Sequence, residues 1–251
     1  MINDIINVLF LTAFFACNGQ VKKRVPNILI CIADDAGHMG KDYPWVNTPA
    51  FDRVAGEGIS FSKAYTPNAK CAPSRASLLT ARNSWQLKEA ANHWNNFDAE
   101  FKTFPEVLKD LGFLVGFTGK GWGPGNPGEI RGKVRELCGS QWSKIKTETP
   151  TNSIANIDYS ANFIDFYNHK RKNQPFCFWY GGYEPHRRYE FGSSLKAGKK
   201  LSDIKIVPPY FPDNEIVRTD MLDYALEIEY FDLHITEILD FLESIDELDN
   251  T

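Results

Sequence analysis

The chain has 251 residues, 43% hydrophobic and 24% charged, the proportions of an ordinary globular protein of one large or two small domains. No apolar run reaches the roughly 18 residues of a membrane-spanning helix, and 18 Gly with 14 Pro exclude a collagen-like or low-complexity chain. The net charge of −4 is unevenly placed: residues 213–251 hold 13 acids against one base, Arg218, so the other 212 residues carry +8. A basic body suits an anionic ligand such as nucleic acid, sulfated glycan or phosphate; the plainer reading of the acidic stretch is one solvated helix face.

In chain order, residues 8–16 form a short apolar run, followed at once by Cys17. The run has the length of a signal-peptide core and is too short to span a membrane. A small residue directly before a cysteine suggests a lipidated leader. Residues 1–24 are therefore expected to be a signal peptide, lipobox and linker, and the protein to be exported, to the periplasm or as an outer-membrane lipoprotein with a lipid anchor. Residues 25–251 are expected to hold the folded domain. Residues 27–33 (NILICIA) are apolar after Asn27, as in a buried parallel strand. Thr48-Pro49 opens a helix that stops at Gly58. A second strand is expected at 59–65 and a helix at 74–82. Thr103 and Glu106 form a capping box, and 114–118 is a strand that ends in a glycine-rich turn. A helix at 154–171 and an apolar strand at 176–180 follow. Met221, Ala225, Ile228, Phe231, Ile235, Leu239 and Leu242 mark a long amphipathic helix at 215–244. This alternation predicts an α/β fold with a mostly parallel central sheet and helices on both faces. The cysteines show no zinc spacing and no disulfide framework; Cys31 and Cys177 sit in apolar runs and read as small core residues.

Ligands of such a sheet bind at the C-terminal ends of its strands. Four predicted strand ends bring Asp34 and Asp35, then Cys71 with Ser74 and Arg75, then Lys120, then Glu184, His186, Arg187 and Arg188 to one edge. Each has a plain alternative. Adjacent carboxylates often cap a turn, a lone cysteine is often inert, and Lys120, His186 and the arginines could be solvated loop residues.

The segment from Cys71 to Thr80 (CAPSRASLLT) resembles the sulfatase signature, C-x-P-S-R followed by a helix ending Leu-Thr-Gly. Ala81 stands in place of that Gly. The stretch 26–35, Thr48-Pro49, Asp52, Gly58 and Phe61 are similar to the family's N-terminal pattern, Gly119-Lys120 to its Gly-Lys element and Pro185-His186 to its Pro-His element. The resemblance spans about 26–245. Residues 92–97, with His93, resemble the heparan N-sulfatase branch. The resemblance implies an alkaline-phosphatase/sulfatase-like fold and hydrolysis of sulfate esters or sulfamates on sulfated carbohydrates, with no nucleic-acid partner. It implies that a maturating enzyme converts Cys71 to formylglycine, and that Ca2+, in preference to Mg2+, sits on Asp34, Asp35 and the modified Cys71. It gives catalytic roles to Cys71, Arg75, Lys120 and His186, and substrate-binding roles to Lys120, His186, His93 and Arg187.

Two departures stand out. Trp122 occupies a position where the family commonly has His, so a proton donor is lost or supplied from elsewhere. The family's later Asp-Asn or Asp-His metal pair is not in this sequence, so the chain is expected to be the N-terminal part of a longer sulfatase. Alone it is expected to bind Ca2+ weakly and turn over poorly. A phosphoesterase of the same fold and a non-catalytic glycan-binding remnant are the alternatives.

Overall fold

The computed structural model describes residues 24–37 and 43–251. The expected leader, lipid-bearing Cys17 included, lies outside the described residues. The central sheet is parallel and built from β1 (Ile28–Ile32), β2 (Leu114–Gly119), β3 (Ser140–Gln141) and β4 (Phe176–Gly181), in the spatial order β1-β4-β2-β3. The helices are α1 (Pro49–Glu57), α2 (Cys71–Thr80), α3 (Phe104–Asp110), α4 (Tyr159–Asn168), α5 (Ser193–Lys196) and α6 (Glu215–Ser244). Asn95–Asn96 pairs with Gly125–Asn126, and Glu129–Ile130 with Lys133–Val134, in two small ribbons.

Side chains on a strand alternate between faces, and this alternation separates two apolar layers. Leu29, Cys31, Phe176, Phe178 and Tyr180 face α4 and α6, where they meet Phe163, Phe166, Phe231 and Ile238. Ile30, Ile32, Phe117 and Trp179 face the α2 side, with Ala76, Leu79, Leu87 and Phe97. Helices thus cover both faces, as the sequence predicts. β4 is buried at all six positions, which explains why its sequence is a continuous apolar run rather than an alternating one. Burial holds the Cys31, Cys138 and Cys177 thiols up at about 12, so they are inert packing groups.

Several expectations are corrected. Residues 59–65 form no strand, and Ile59, Phe61 and Tyr65 are exposed. Their alternation has no neighbouring strand to take up its backbone groups, and without one an extended run gains nothing over loop. The signature helix starts at Cys71 itself, with Lys70 as N-cap. α4 starts later than expected, at Tyr159, because the Asp158 side chain accepts the Ala161 N–H and fixes the N-cap there. The long acidic helix is more than a solvated face. Asp223, Glu227 and Asp232 on α6 are buried. Asp232 accepts the Ala50 and Phe51 N–H groups, both at 2.9 Å, and so caps α1 from a distance.

Candidate active site

In a parallel sheet all strands end on the same edge, and here the ends are tied to one another. Gly182 N–H donates to the Ile32 carbonyl, Lys120 N–H to Gly181 and Asp34 N–H to Glu184. Gly119 and Gly181 make the contact possible. A Cβ on Gly181 would lie 1.9 Å from the Lys120 carbonyl oxygen, and one on Gly119 2.1 Å from the Gly181 oxygen. Two side-chain-free strand ends therefore set the position of Lys120.

Arg75 crosses this junction from the second turn of α2. It is 4% exposed. Its Nη1 donates to the Lys120 and Gly121 carbonyls, both at 2.8 Å, and its Nη2 to Asp34 Oδ1 at 3.1 Å. The guanidinium also sits 5.9 Å from the Trp179 ring centroid. Lys120 Nζ binds the other Asp34 oxygen, Oδ2. Asp34, equally buried, is thus held by two cations from two different elements. Cys71 is the first residue of α2, half-buried, with its Sγ 4.0 Å from His93 Nδ1. The free N–H groups of the first helical turn face the same edge as Cys71 and favour an anion.

Asp35 is exposed in the left-handed backbone region (φ 62°). Its Oδ2 lies 3.7 Å from His186 Nε2. His186 Nδ1 is 2.7 Å from the Arg187 carbonyl. A carbonyl only accepts, so Nδ1 carries the proton. Arg187 is directed elsewhere, forking onto Asp220 of α6 at 2.8 and 2.7 Å. In this arrangement it is not among the residues that line the cleft described below. Trp122 does structural work: its Nε1 donates to the Ala72 carbonyl at 3.1 Å, and its ring stands edge-on to Phe97.

A cleft of about 340 Å3 opens between these groups, lined by Asp34, Lys120, Ser153, Tyr183, Glu184, His186 and Glu227, among others. Glu184 is buried and braced by the Ala155 N–H (2.9 Å) and the Tyr159 hydroxyl (2.8 Å); burial raises its pKa. Sequence reasoning missed Ser153, Tyr183 and Glu227. Of these, Glu227 had a detectable signal: a carboxylate four residues before Phe231, inside the apolar stripe of α6. A separate cluster is also found among the described residues. The ligand-type atoms of Asp158, His234 and Glu237 lie within 4.8 Å of one another. The Ser160 Oγ occupies its middle, 3.0 Å from Asp158, 3.2 Å from His234 and 2.5 Å from Glu237, as a hydrogen-bond hub does.

The sulfatase family model matches residues 26–251. The chain belongs to the sulfatase family. It is 29% identical over 230 residues to an ulvan-active sulfatase of Formosa agariphila, covering 87% of this chain and 42% of that protein. It is 34% identical over 109 residues to human N-sulphoglucosamine sulphohydrolase, covering 41% and 22% of the two chains. The chain thus spans less than half the length of these relatives. Among solved structures, BT4656 in complex with its substrate D-glucosamine-2-N,6-O-disulfate is similar at a TM-score of 0.60 and 20% identity, over 91% of this chain and 64% of that one. A phosphonate monoester hydrolase of Agrobacterium radiobacter shares the fold at a TM-score of 0.58 and 14% identity, over 90% and 61%. The parallel α/β fold of this sulfatase chain agrees with both.

Proposed function

We propose that this chain is the nucleophile-bearing part of an enzyme that hydrolyses sulfate esters or sulfamates on sulfated carbohydrates. The observation that carries the reading is the junction at one sheet edge where buried Arg75 ties Asp34 to the Lys120 carbonyl and Lys120 pairs with Asp34, with Cys71 one turn before Arg75 on the same helix. The carbohydrate substrates in the names of the similar sulfatases support the substrate class.

The residues fit the family's cofactors. Asp34 and Asp35 are hard oxygen donors, suited to Ca2+ and, second, Mg2+. Asp34 Oδ2 is held by Lys120, so a cation there would exchange with the ammonium and release it. With Cys71 as formylglycine, the hydrated aldehyde and the bound cation would supply a covalent nucleophile and a Lewis acid. The chain's own residues then have clear tasks. Arg75 positions Asp34 and Lys120 together. Lys120, once released, neutralises a sulfate oxygen. His93, beside Cys71, and His186, beside Asp35, serve as hydrogen-bond and proton-transfer groups. Ala72, Pro73 and Arg75 are buried in α2. A maturating enzyme that reads C-x-P-S-R must therefore meet the segment before the chain folds.

The test is peptide mass spectrometry of the chain made in a host that has the maturating enzyme. An aldehyde at Cys71 is expected; a thiol throughout would refute the catalytic reading. In a longer form that carries the family's later metal pair, turnover is expected with aryl sulfate and not with aryl phosphate, and to be lost in Cys71→Ala; the 251-residue chain alone is expected to turn over poorly. The reverse preference would make the protein a phosphoesterase. For location, we propose export with a lipid on Cys17; fatty-acid labelling that persists in Cys17→Ala would refute the anchor.

A further inference from the structure

Of three neighbouring buried carboxylates, Glu184 and Glu227 line the cleft and Asp223 lies close to Glu227; Asp223 and Glu184 are fully used. Asp223 takes the N–H groups of Gly192 (2.8 Å) and Ser194 (2.9 Å) and the Ser194 hydroxyl (2.6 Å), which fixes the turn into α5. Glu184 takes the Ala155 N–H and the Tyr159 hydroxyl. Glu227, one helical turn beyond Asp223 on α6, differs. It is 2% exposed, and its Oε1 has no hydrogen-bond partner among the described residues. It nevertheless lines the cleft that holds Asp34, Lys120 and His186.

A buried polar group without a partner is costly, and native structures keep few of them. The helix would pack there at lower cost with an apolar residue, as its neighbours Ile228 and Phe231 do. Such departures from local consistency cluster at functional sites. Glu227 is no part of the Cys71–Arg75–Asp34–Lys120 arrangement, so its role concerns another portion of whatever enters the cleft.

We propose that Glu227 reads the sugar: its free carboxyl oxygen hydrogen-bonds a ring hydroxyl or amino group close to the sulfated position. This rests on the glycan-sulfatase reading above and adds a specificity residue to it. Burial, with Glu184 and Asp223 nearby, pushes the Glu227 carboxyl up to about 8, so near neutral pH it is largely uncharged and does not repel the sulfate. A protonated carboxyl offers one O–H donor and a carbonyl acceptor, and a sugar hydroxyl is likewise both donor and acceptor. A buried group left unpaired discriminates strongly against ligands that lack the matching hydroxyl.

Calorimetric titration of the full chain tests this without turnover. The probes are the 6-sulfates of glucosamine, galactosamine and their N-acetyl forms, with methyl sulfate and inorganic sulfate as ligands that carry no ring. Glu227→Leu is expected to weaken the best-bound sugar sulfate by about tenfold or more, the loss of one good hydrogen bond. It should leave inorganic sulfate within about twofold, whereas Glu227→Gln, which keeps a donor and an acceptor, should hold the sugar within about threefold. Should the leucine variant lose its helical circular dichroism, Glu227→Met supplies the apolar arm. An equal loss for sugar sulfate and inorganic sulfate, or no loss for either, overturns the proposal. So does a wild-type chain that binds inorganic sulfate but prefers no sugar sulfate to methyl sulfate; there the sulfatase reading survives. A wild-type chain that binds no sulfate at all overturns both.

Discussion

Replacing Arg75 by alanine removes one guanidinium that serves three acceptors. The Lys120 and Gly121 carbonyls each lose a 2.8 Å bond, and Asp34 loses one of its two cations. Breaking a buried ion pair by deleting one partner costs about 3–5 kcal/mol. A buried carbonyl left unpaired adds about 1–3 kcal/mol. Water entering the space of the deleted side chain takes back part of this, so about 4 kcal/mol is the expected net loss. That is a large part of the roughly 5–15 kcal/mol that holds a typical domain together. Arg75→Lys keeps the charge on Asp34, but an ammonium cannot reproduce the planar fork that spans two carbonyls and a carboxylate, so about half the loss is expected. Urea unfolding followed by tryptophan fluorescence reads both. With a slope of about 2 kcal/mol/M, the alanine midpoint should fall by roughly 2 M and the lysine midpoint by roughly 1 M. An alanine variant within about 1 kcal/mol of wild type would refute Arg75 as the brace of the junction, a loss no greater than that of an ordinary surface change. A lysine variant as unstable as alanine would refute the charge as a contributor.

Two further outcomes follow from single positions. Ala81 closes α2 in the left-handed region (φ 53°), where a Cβ is strained and glycine is not, so Ala81→Gly should stabilise by about 0.5–1 kcal/mol and raise Tm by roughly 1–4 °C; an unchanged or lower Tm would refute strain at this cap. The Glu227 carboxyl is raised from 4.5 to about 8 in the folded chain, so between those values the fold holds a proton that the unfolded chain releases. The stability this confers is whole below pH 4.5 and lost as pH rises through about 8, at up to about 1.4 kcal/mol per pH unit. Glu184 and Asp232 shift in the same direction, and His234, lowered by burial, in the opposite sense. The difference between wild type and Glu227→Gln isolates Glu227, and a difference that stays flat from pH 5 to 8 would refute its raised pKa.

The parts of the fold legible in sequence are those whose signal is local. β1 and β4 are wholly apolar runs, and α3 carries its Thr103–Glu106 capping box in the structure as in the sequence. Residues 59–65 show the limit of such signals. Their alternating pattern is a strand's, but a strand exists only if a neighbour takes its hydrogen bonds, and no sequence pattern states that. The site was legible to the same degree. Asp34, Lys120, Glu184 and His186 follow directly after apolar runs, so the rule that parallel strands end on one edge brings them together. What no spacing could give is that Arg75 is buried between three of these strand ends, or that Arg187 turns to Asp220.

Glu227 marks where the sequence reading failed for a physical reason. Amphipathic analysis assigns every charge on a helix to solvent, because an isolated carboxylate cannot be buried cheaply. On α6 that assumption breaks at Asp223, Glu227 and Asp232. Two of the three are compensated by backbone N–H groups from distant elements, the turn into α5 and the start of α1. Those partners lie about 30 residues or 180 residues away in sequence. The acidity of the C-terminal stretch is therefore partly a capping device. Of the three buried carboxylates on α6, the one that caps nothing, Glu227, lines the cleft. In this protein a buried carboxylate with backbone partners holds the fold together, and the buried carboxyl without one points to where the ligand must be sought.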